Sequence, residues 1–134
     1  MRSARVLRRC MATGLFLVMS SHAAPAPITQ AEIEYLLSTV AESGCEFYRN
    51  GTWYDGRAAA AHLRYKYDAL MAKDLINNSD DFIERAATKS SLSGLAYAIR
   101  CKGYPSVSSH EWFEDLLAKY RQSKKDAAAR GPDG

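Results

Sequence analysis

The sequence predicts one small α+β domain, in which helices pack on one face of a three-stranded antiparallel sheet. Apolar residues recur at helical spacing in about four segments, and they alternate with polar ones in short segments between them. The predicted order is α-β-β-α-α-β-α. A signal peptide is expected over residues 1–23, the domain over 24–122 and a disordered tail over 123–134, which has no large apolar residue.

The first 23 residues have the pattern of a secretory signal peptide. Arginines without any acid open the chain, the stretch from Met11 to Met19 is almost wholly apolar, and small residues end at Ala23. This stretch is too short for the roughly 20 apolar residues that cross a bilayer. We therefore expect export to the periplasm, cleavage after Ala23 and no stable membrane insertion.

Removal of this leader changes the net charge. The whole chain carries 18 basic and 15 acidic residues, and the signal peptide contains four of the basic ones and none of the acidic ones. The mature part therefore has 14 basic and 15 acidic residues, a net charge of −1. A nucleic-acid partner is not expected, because such proteins carry a basic surface.

Helical spacing of apolar residues predicts a first helix over residues 29–43. Thr29 and Glu32 have the spacing of a capping box, and Ile28 and Ile33 that of the hydrophobic staple around it. A β-hairpin follows, because Asn-Gly is the preferred pair for a two-residue type I′ turn. The turn lies at residues 50–51.

Three further helices are predicted from their caps. Asp55 caps the second, which runs to about Met71, and Ser79 caps a short third. Ser108 and Glu111 have the spacing of a capping box for the fourth. The apolar stripe of the second helix is Ala59, Leu63, Tyr67 and Leu70, and Lys66 is assigned to its polar side.

Residues 97–101 alternate between apolar and polar side chains and are predicted to form the third strand, antiparallel to the first. That register places Cys45 opposite Cys101 and Phe47 opposite Ile99, so one apolar face stays continuous. Disulfides persist in exported proteins, and the redox-active C-x-x-C pattern is absent. A structural disulfide is therefore predicted, with free thiols as the alternative.

No cofactor and no metal ion is expected, and no residue is assigned as catalytic. Residues 88–91, Thr-Lys-Ser-Ser, resemble the end of a phosphate-binding loop but lack its glycines and its preceding strand. His62, His110 and the two cysteines lack the short spacing that is typical of zinc ligands.

A family resemblance rests on three segments: Arg49-Asn50-Gly51, His62-Leu63-Arg64-x-Lys66 and Ser90-Ser91-x-Ser93-Gly94. With them in view, residues 33–120 resemble the DUF5329 family of small exported, YfeK-like bacterial proteins of unknown function. The resemblance implies an exported domain and brings no activity with it. It also marks a candidate binding surface that consists of Asn50, His62, Lys66, Ser90, Ser91 and Ser93.

The sequence leaves three functions open, and it does not indicate an oligomeric state. The leading hypothesis is a non-enzymatic periplasmic module that binds an envelope protein or a cell-wall component near His62 and residues 90–97. The alternative is a small hydrolase or transferase in which His62 acts with a loop serine, which requires these groups within hydrogen-bond distance. A purely structural envelope protein would have neither a pocket nor a polar surface there.

Overall fold

The computed structural model describes residues 23–131. The predicted signal peptide lies outside the described residues except for Ala23, and so do the last three residues of the predicted tail. In the part of the chain that is described, no helix combines the length and the apolar character needed to cross a membrane.

Four α-helices and a four-stranded antiparallel sheet make up the described chain, which confirms the α+β class. The sheet order is β2-β1-β3-β4. The elements are α1 (Pro27–Glu42), β1 (Glu46–Arg49), β2 (Thr52–Asp55), α2 (Gly56–Met71), α3 (Ser79–Phe82), a π-helical segment (Ile83–Ala87), β3 (Ala98–Arg100), β4 (Val107–Ser108) and α4 (Ser109–Ala129).

The prediction of three strands is wrong by one, because β4 was missed. This strand has only two residues and pairs with β3, where Val107 lies opposite Ile99. Two residues are too few to show an alternating pattern, so hydrophobic periodicity does not predict this strand.

The predicted hairpin is confirmed. Asn50 has φ 49° and Gly51 has φ 88°, the positive values that a type I′ turn requires at both positions. Phe47 lies opposite Tyr54 across the hairpin, as the turn length dictates. The turn therefore fixes which side chains of β1 face the core.

The pairing of β1 with β3 and the disulfide are also confirmed. Phe47 lies opposite Ile99 in an antiparallel ladder. Cys45 and Cys101 lie at the end of this ladder with their Cα atoms 4.4 Å apart, and a disulfide joins them. A cross-link over 56 residues stabilises the fold by roughly 4 kcal/mol in the chain-entropy model, chiefly by restricting the unfolded chain.

The core lies between this sheet and the helices. Its largest fully buried side chains come from three helices, the π-helical segment and β3: Ile33, Leu36, Val40, Phe82, Ile83, Phe113 and Ile99. From α2, Leu63 and Tyr67 are buried as predicted, but Lys66 is only 8% exposed. The assignment of Lys66 to the polar side of the helix is therefore wrong.

The start of α1 differs from the prediction. The helix begins at Pro27, with Ala26 as its N-cap and no side-chain cap. Proline favours the first helical turn because its φ is already helical and its missing N–H has no partner to lose there. Thr29 and Glu32 are consequently inside the helix and buried, and Ile28 is 70% exposed, so neither the capping box nor the staple forms.

Glu32 instead connects three helices. Its carboxylate accepts a hydrogen bond from Ser79 Oγ at 2.6 Å and two from the Arg121 guanidinium, at 2.8 and 2.9 Å. The pKa of Glu32 is lowered, chiefly by the hydrogen bond from Arg121. The prediction that Ser79 caps α3 is therefore wrong: Ser79 is the first helical residue, and the cap is Asn78, whose side chain accepts from the backbone N–H of Asp81.

The last helix begins as predicted and ends later. Ser108 caps α4 and accepts from the backbone N–H of Glu111. The helix extends through Ala129, so it includes residues 123–129, which were predicted to belong to a disordered tail. Alanines at 127–129 have high helix propensity, and a hydrogen bond from Gln122 to Asp126 adds an i,i+4 pair.

We expect Glu32→Gln to lower the free energy of unfolding at pH 7 by about 1–3 kcal/mol, because charge-assisted hydrogen bonds inside the protein are lost. The pKa of Glu32 is lower in the folded protein than its usual 4.5, so this stabilisation is present above pH 4.5. It disappears as the pH falls through the folded value. Urea unfolding at pH 7 and below pH 4 measures both effects.

The matched control is Glu34→Gln on the exposed side of α1. Glu34 pairs with Arg64, and both side chains are substantially exposed, so we expect a loss below about 1 kcal/mol. Equal losses in the two variants would contradict the linking role of Glu32.

Candidate functional site

A groove lies between α2 and the segment of residues 88–97, which we call the serine loop. Its volume is about 480 Å³. One wall consists of α2 residues, among them His62 and Lys66, together with Lys73 from the turn that follows the helix. Ser90, Ser91, Leu92 and Tyr97 of the serine loop form the other wall, and Arg49 and Asn50 also line the groove. We call this site the basic groove.

Five of the six candidate residues line the basic groove. They are Asn50, His62, Lys66, Ser90 and Ser91. The sixth, Ser93, is outside the lining but donates a hydrogen bond to Asn50 Oδ1 at 2.6 Å. The polar positions chosen from the sequence are therefore spatially close, although they come from three separate segments.

Asn50 connects the hairpin turn to the serine loop. Its Nδ2 donates to Ser90 Oγ at 3.2 Å while its Oδ1 accepts from Ser93. Ser90 Oγ also accepts from the backbone N–H groups of Leu92 and Ser93. Asn50, Ser90 and Ser93 thus hold the loop in place through their side chains, which leaves Ser91 as the loop hydroxyl without a hydrogen bond to any described residue.

His62 is held in one tautomer by two neighbours. The Arg49 guanidinium can only donate, so its Nη1, 2.5 Å from His62 Nδ1, requires that this ring nitrogen carry no proton. The proton therefore lies on Nε2, which is 3.3 Å from the Tyr97 hydroxyl. Burial, and then the charges of Arg49 and Lys66, lower the pKa of His62, so the ring is neutral at pH 7.

This geometry gives the hydrolase or transferase alternative no support. Both ring nitrogens of His62 face Arg49 and Tyr97. Among the described residues, no hydrogen bond joins His62 to Ser90, Ser91 or Ser93, the contact that a general base requires with its nucleophile.

Lys66 is a buried cation without a carboxylate partner in the described part of the chain. Its ammonium donates to the backbone oxygen of Lys89 at 2.8 Å and to the Tyr97 hydroxyl at 3.3 Å. An ammonium group has three N–H donors, so one is left for a ligand. Burial, and then the charge of Arg49, lower the pKa of Lys66 to about 8.

Tyr97 completes a cluster of hydrogen-bond donors. Its hydroxyl oxygen accepts from both Lys66 and His62, which uses its two lone pairs. Its own proton is therefore available to an acceptor in the basic groove. Tyr97 and Arg49 are not among the six candidate residues predicted from the sequence, although the predicted register of the first and third strands places them side by side.

The charges that line the basic groove all have one sign. They are those of Arg49, Lys66 and Lys73, and no carboxylate is among the lining residues. A site of cations and free donors attracts carboxylate or phosphate oxygens. Among residues 23–131, no group of three or more His, Cys, Asp or Glu side chains has an arrangement that could hold a metal ion.

The fold and the site define a small α+β domain with a groove lined by three cations. A family model described as "Family of unknown function (DUF5329)" matches residues 27–121, a range that contains the whole basic groove. The chain therefore belongs to the DUF5329 family. No curated protein and no solved structure matches the chain.

The burial of Lys66 has a measurable pH signature. Its pKa is about 8 in the folded protein and close to the usual 10.5 in the unfolded chain, so folding opposes its protonation. Between pH 8 and pH 10.5, Lys66 is protonated in the unfolded chain but largely neutral in the folded protein, so the free energy of unfolding rises with pH. We expect wild type to gain about 1–3 kcal/mol of stability relative to Lys66→Met between pH 7.5 and pH 10.5.

Urea unfolding across this range measures the difference. Lys73→Met is the control, because Lys73 is exposed and its variant should follow the pH dependence of wild type. Parallel pH profiles for wild type and Lys66→Met would show that Lys66 is not buried as described.

Proposed function

We propose that this protein is an exported, non-enzymatic binding module that holds an anionic group of an envelope protein or cell-wall component in the basic groove. The buried ammonium of Lys66, which has no carboxylate partner among the described residues, carries the proposal. Burying an unpaired charge lowers stability. A ligand carboxylate or phosphate would supply the missing negative charge.

The donors that would contact this anion are already oriented. Lys66 keeps one N–H free, and Tyr97 keeps its O–H free, at 3.3 Å from each other. Arg49 is fixed by its contact with His62 and by its position over the Tyr54 ring, 4.6 Å from the centroid. Preorganised donors need little reordering on binding, which favours affinity.

The proposed location rests on the sequence and is consistent with the cross-link. A basic start, a short apolar stretch and small residues before residue 24 are typical of a cleaved leader. A disulfide between Cys45 and Cys101 is stable in an oxidising compartment. An exported binding module meets envelope proteins and cell-wall components, which is why we propose these as partners.

Inorganic phosphate and acetate should bind at Lys66 and compete with each other. Titration of ¹⁵N-labelled protein, followed by amide shifts in the serine loop and α2, measures both affinities. In Lys66→Met we expect a loss of about tenfold or more, because a charge-assisted contact in a buried site is removed. Lys102→Met, on the exposed surface away from the basic groove, is the control and should bind like wild type.

The affinity should also depend on pH. The anion favours the charged form of Lys66, whose pKa in the free protein is about 8. Below that pH the free protein already carries the proton, and above it binding must take up a proton, so the affinity should fall by up to about tenfold per pH unit. Affinity that is constant from pH 7 to pH 9.5 in wild type, or unchanged in Lys66→Met, would contradict the proposal.

Export has its own test. The full chain, produced with its own leader in a Gram-negative host, should be recovered from the periplasmic fraction with Ala24 as its first residue. Intact-mass measurement with and without reductant should differ by two hydrogens, as the disulfide requires. An unprocessed chain in the cytoplasm would refute the proposed location. It would not bear on anion binding at Lys66, which the titrations test separately.

A further inference from the structure

The basic groove has two cationic positions rather than one. Lys66 and Lys73 both line it, and they are seven residues apart on α2 and the turn that follows it. Lys73 lies two residues past the end of α2, where the backbone N–H groups of Ala72 and Lys73 still bond to Asp68 and Leu70 and continue the helical winding. Seven residues then correspond to two turns, so the Cα atoms of Lys66 and Lys73 lie on the order of 10 Å apart on the same side. They differ in surroundings, since Lys66 is buried and Lys73 is exposed.

The surface between these two cations is apolar. Ala69 and Leu70 of α2 line this stretch of the groove. Two large side chains at the groove are largely exposed, Leu92 at 98% and Tyr65 at 73%. Exposed apolar side chains beside a cleft are typical of a contact surface. A ligand that fits the groove therefore has an apolar part flanked by negative charges.

The serine loop offers a polar group along the same stretch. Ser91 lines the groove opposite α2 and makes no hydrogen bond with another described residue. Its hydroxyl can donate to a carbonyl or accept from an N–H. A ligand backbone that carries both kinds of group matches this wall better than a hydrocarbon chain does.

We infer that the basic groove binds an extended acidic peptide with two carboxylates about 10 Å apart and an apolar side chain between them. An extended chain advances about 3.3 Å per residue, so three residues cover this distance. A free C-terminal carboxylate would bind at Lys66 and Tyr97, and an acidic side chain at Lys73. The inference rests on the proposed function, because it assumes an anion at Lys66.

The test uses the peptide acetyl-Ala-Glu-Leu-Ala with a free C-terminus, and two analogues, one with Gln for Glu and one with a C-terminal amide. Calorimetry at low ionic strength measures their affinities for the full mature protein. Amidation should weaken binding by about tenfold or more, because the charge-assisted contacts at Lys66 are lost. Replacing Glu by Gln should weaken it by about two- to fivefold, as for an exposed ion pair.

Lys73→Ala provides a double-mutant cycle for the second contact. In this variant the Glu and Gln peptides should bind equally, since the partner of the glutamate is gone. Lys73 is exposed, so the variant should fold like wild type. An unchanged preference for the Glu peptide in Lys73→Ala would overturn the assignment of the second carboxylate.

Other outcomes separate this inference from the proposed function. If acetate and phosphate bind at Lys66 but the peptide binds no tighter than acetate, the peptide inference is wrong and the anion site stands. If neither anion nor peptide binds, both fail. Tight binding of vesicles that contain anionic lipid, with no competition from the peptide, would assign the groove to a membrane surface and overturn the inference.

Discussion

The antiparallel pairing of β1 with β3, closed by the Cys45–Cys101 disulfide, is the constraint on which the rest of the structure depends. It places the end of β1 and the hairpin turn beside the start of β3 and the serine loop. The contacts of Arg49 and Asn50 with the site therefore follow from the strand register. Because the cross-link restricts the unfolded chain, it stabilises this long-range pairing.

Much of the fold was predictable because its signals are local. The hairpin, the α2 cap at Asp55 and the α4 cap at Ser108 each follow from a few neighbouring residues, and the structure has all three. Glu32 shows where such reasoning fails. Its spacing from Thr29 fits a capping box, but its partner is Arg121, 89 residues away, and a proline starts the helix earlier. Only tertiary contacts decide between these roles.

The site was predictable in part. The residues marked by family resemblance come together, but Arg49 and Tyr97 were not among them. The burial of Lys66 did not follow from the apolar stripe of α2, even though Leu63 and Leu70 flank it at i−3 and i+4. A lysine stem can pack along an apolar face while its ammonium reaches polar atoms, and helical phase alone does not show whether such atoms are present. The Lys89 carbonyl and the Tyr97 hydroxyl, from a distant loop, provide them.

The uneven placement of charge has a consequence for any anion that approaches the protein. Residues 23–131 contain 14 basic and 14 acidic side chains, so the described domain is close to neutral. The basic groove nevertheless gathers three cations and no carboxylate. A neutral body with such an asymmetry behaves as an electric dipole, which turns an incoming anion toward the groove before contact. The rate at which an anion associates with the groove should therefore depend on ionic strength. The net charge of the domain alone, which is close to zero, would predict little effect of salt on this rate.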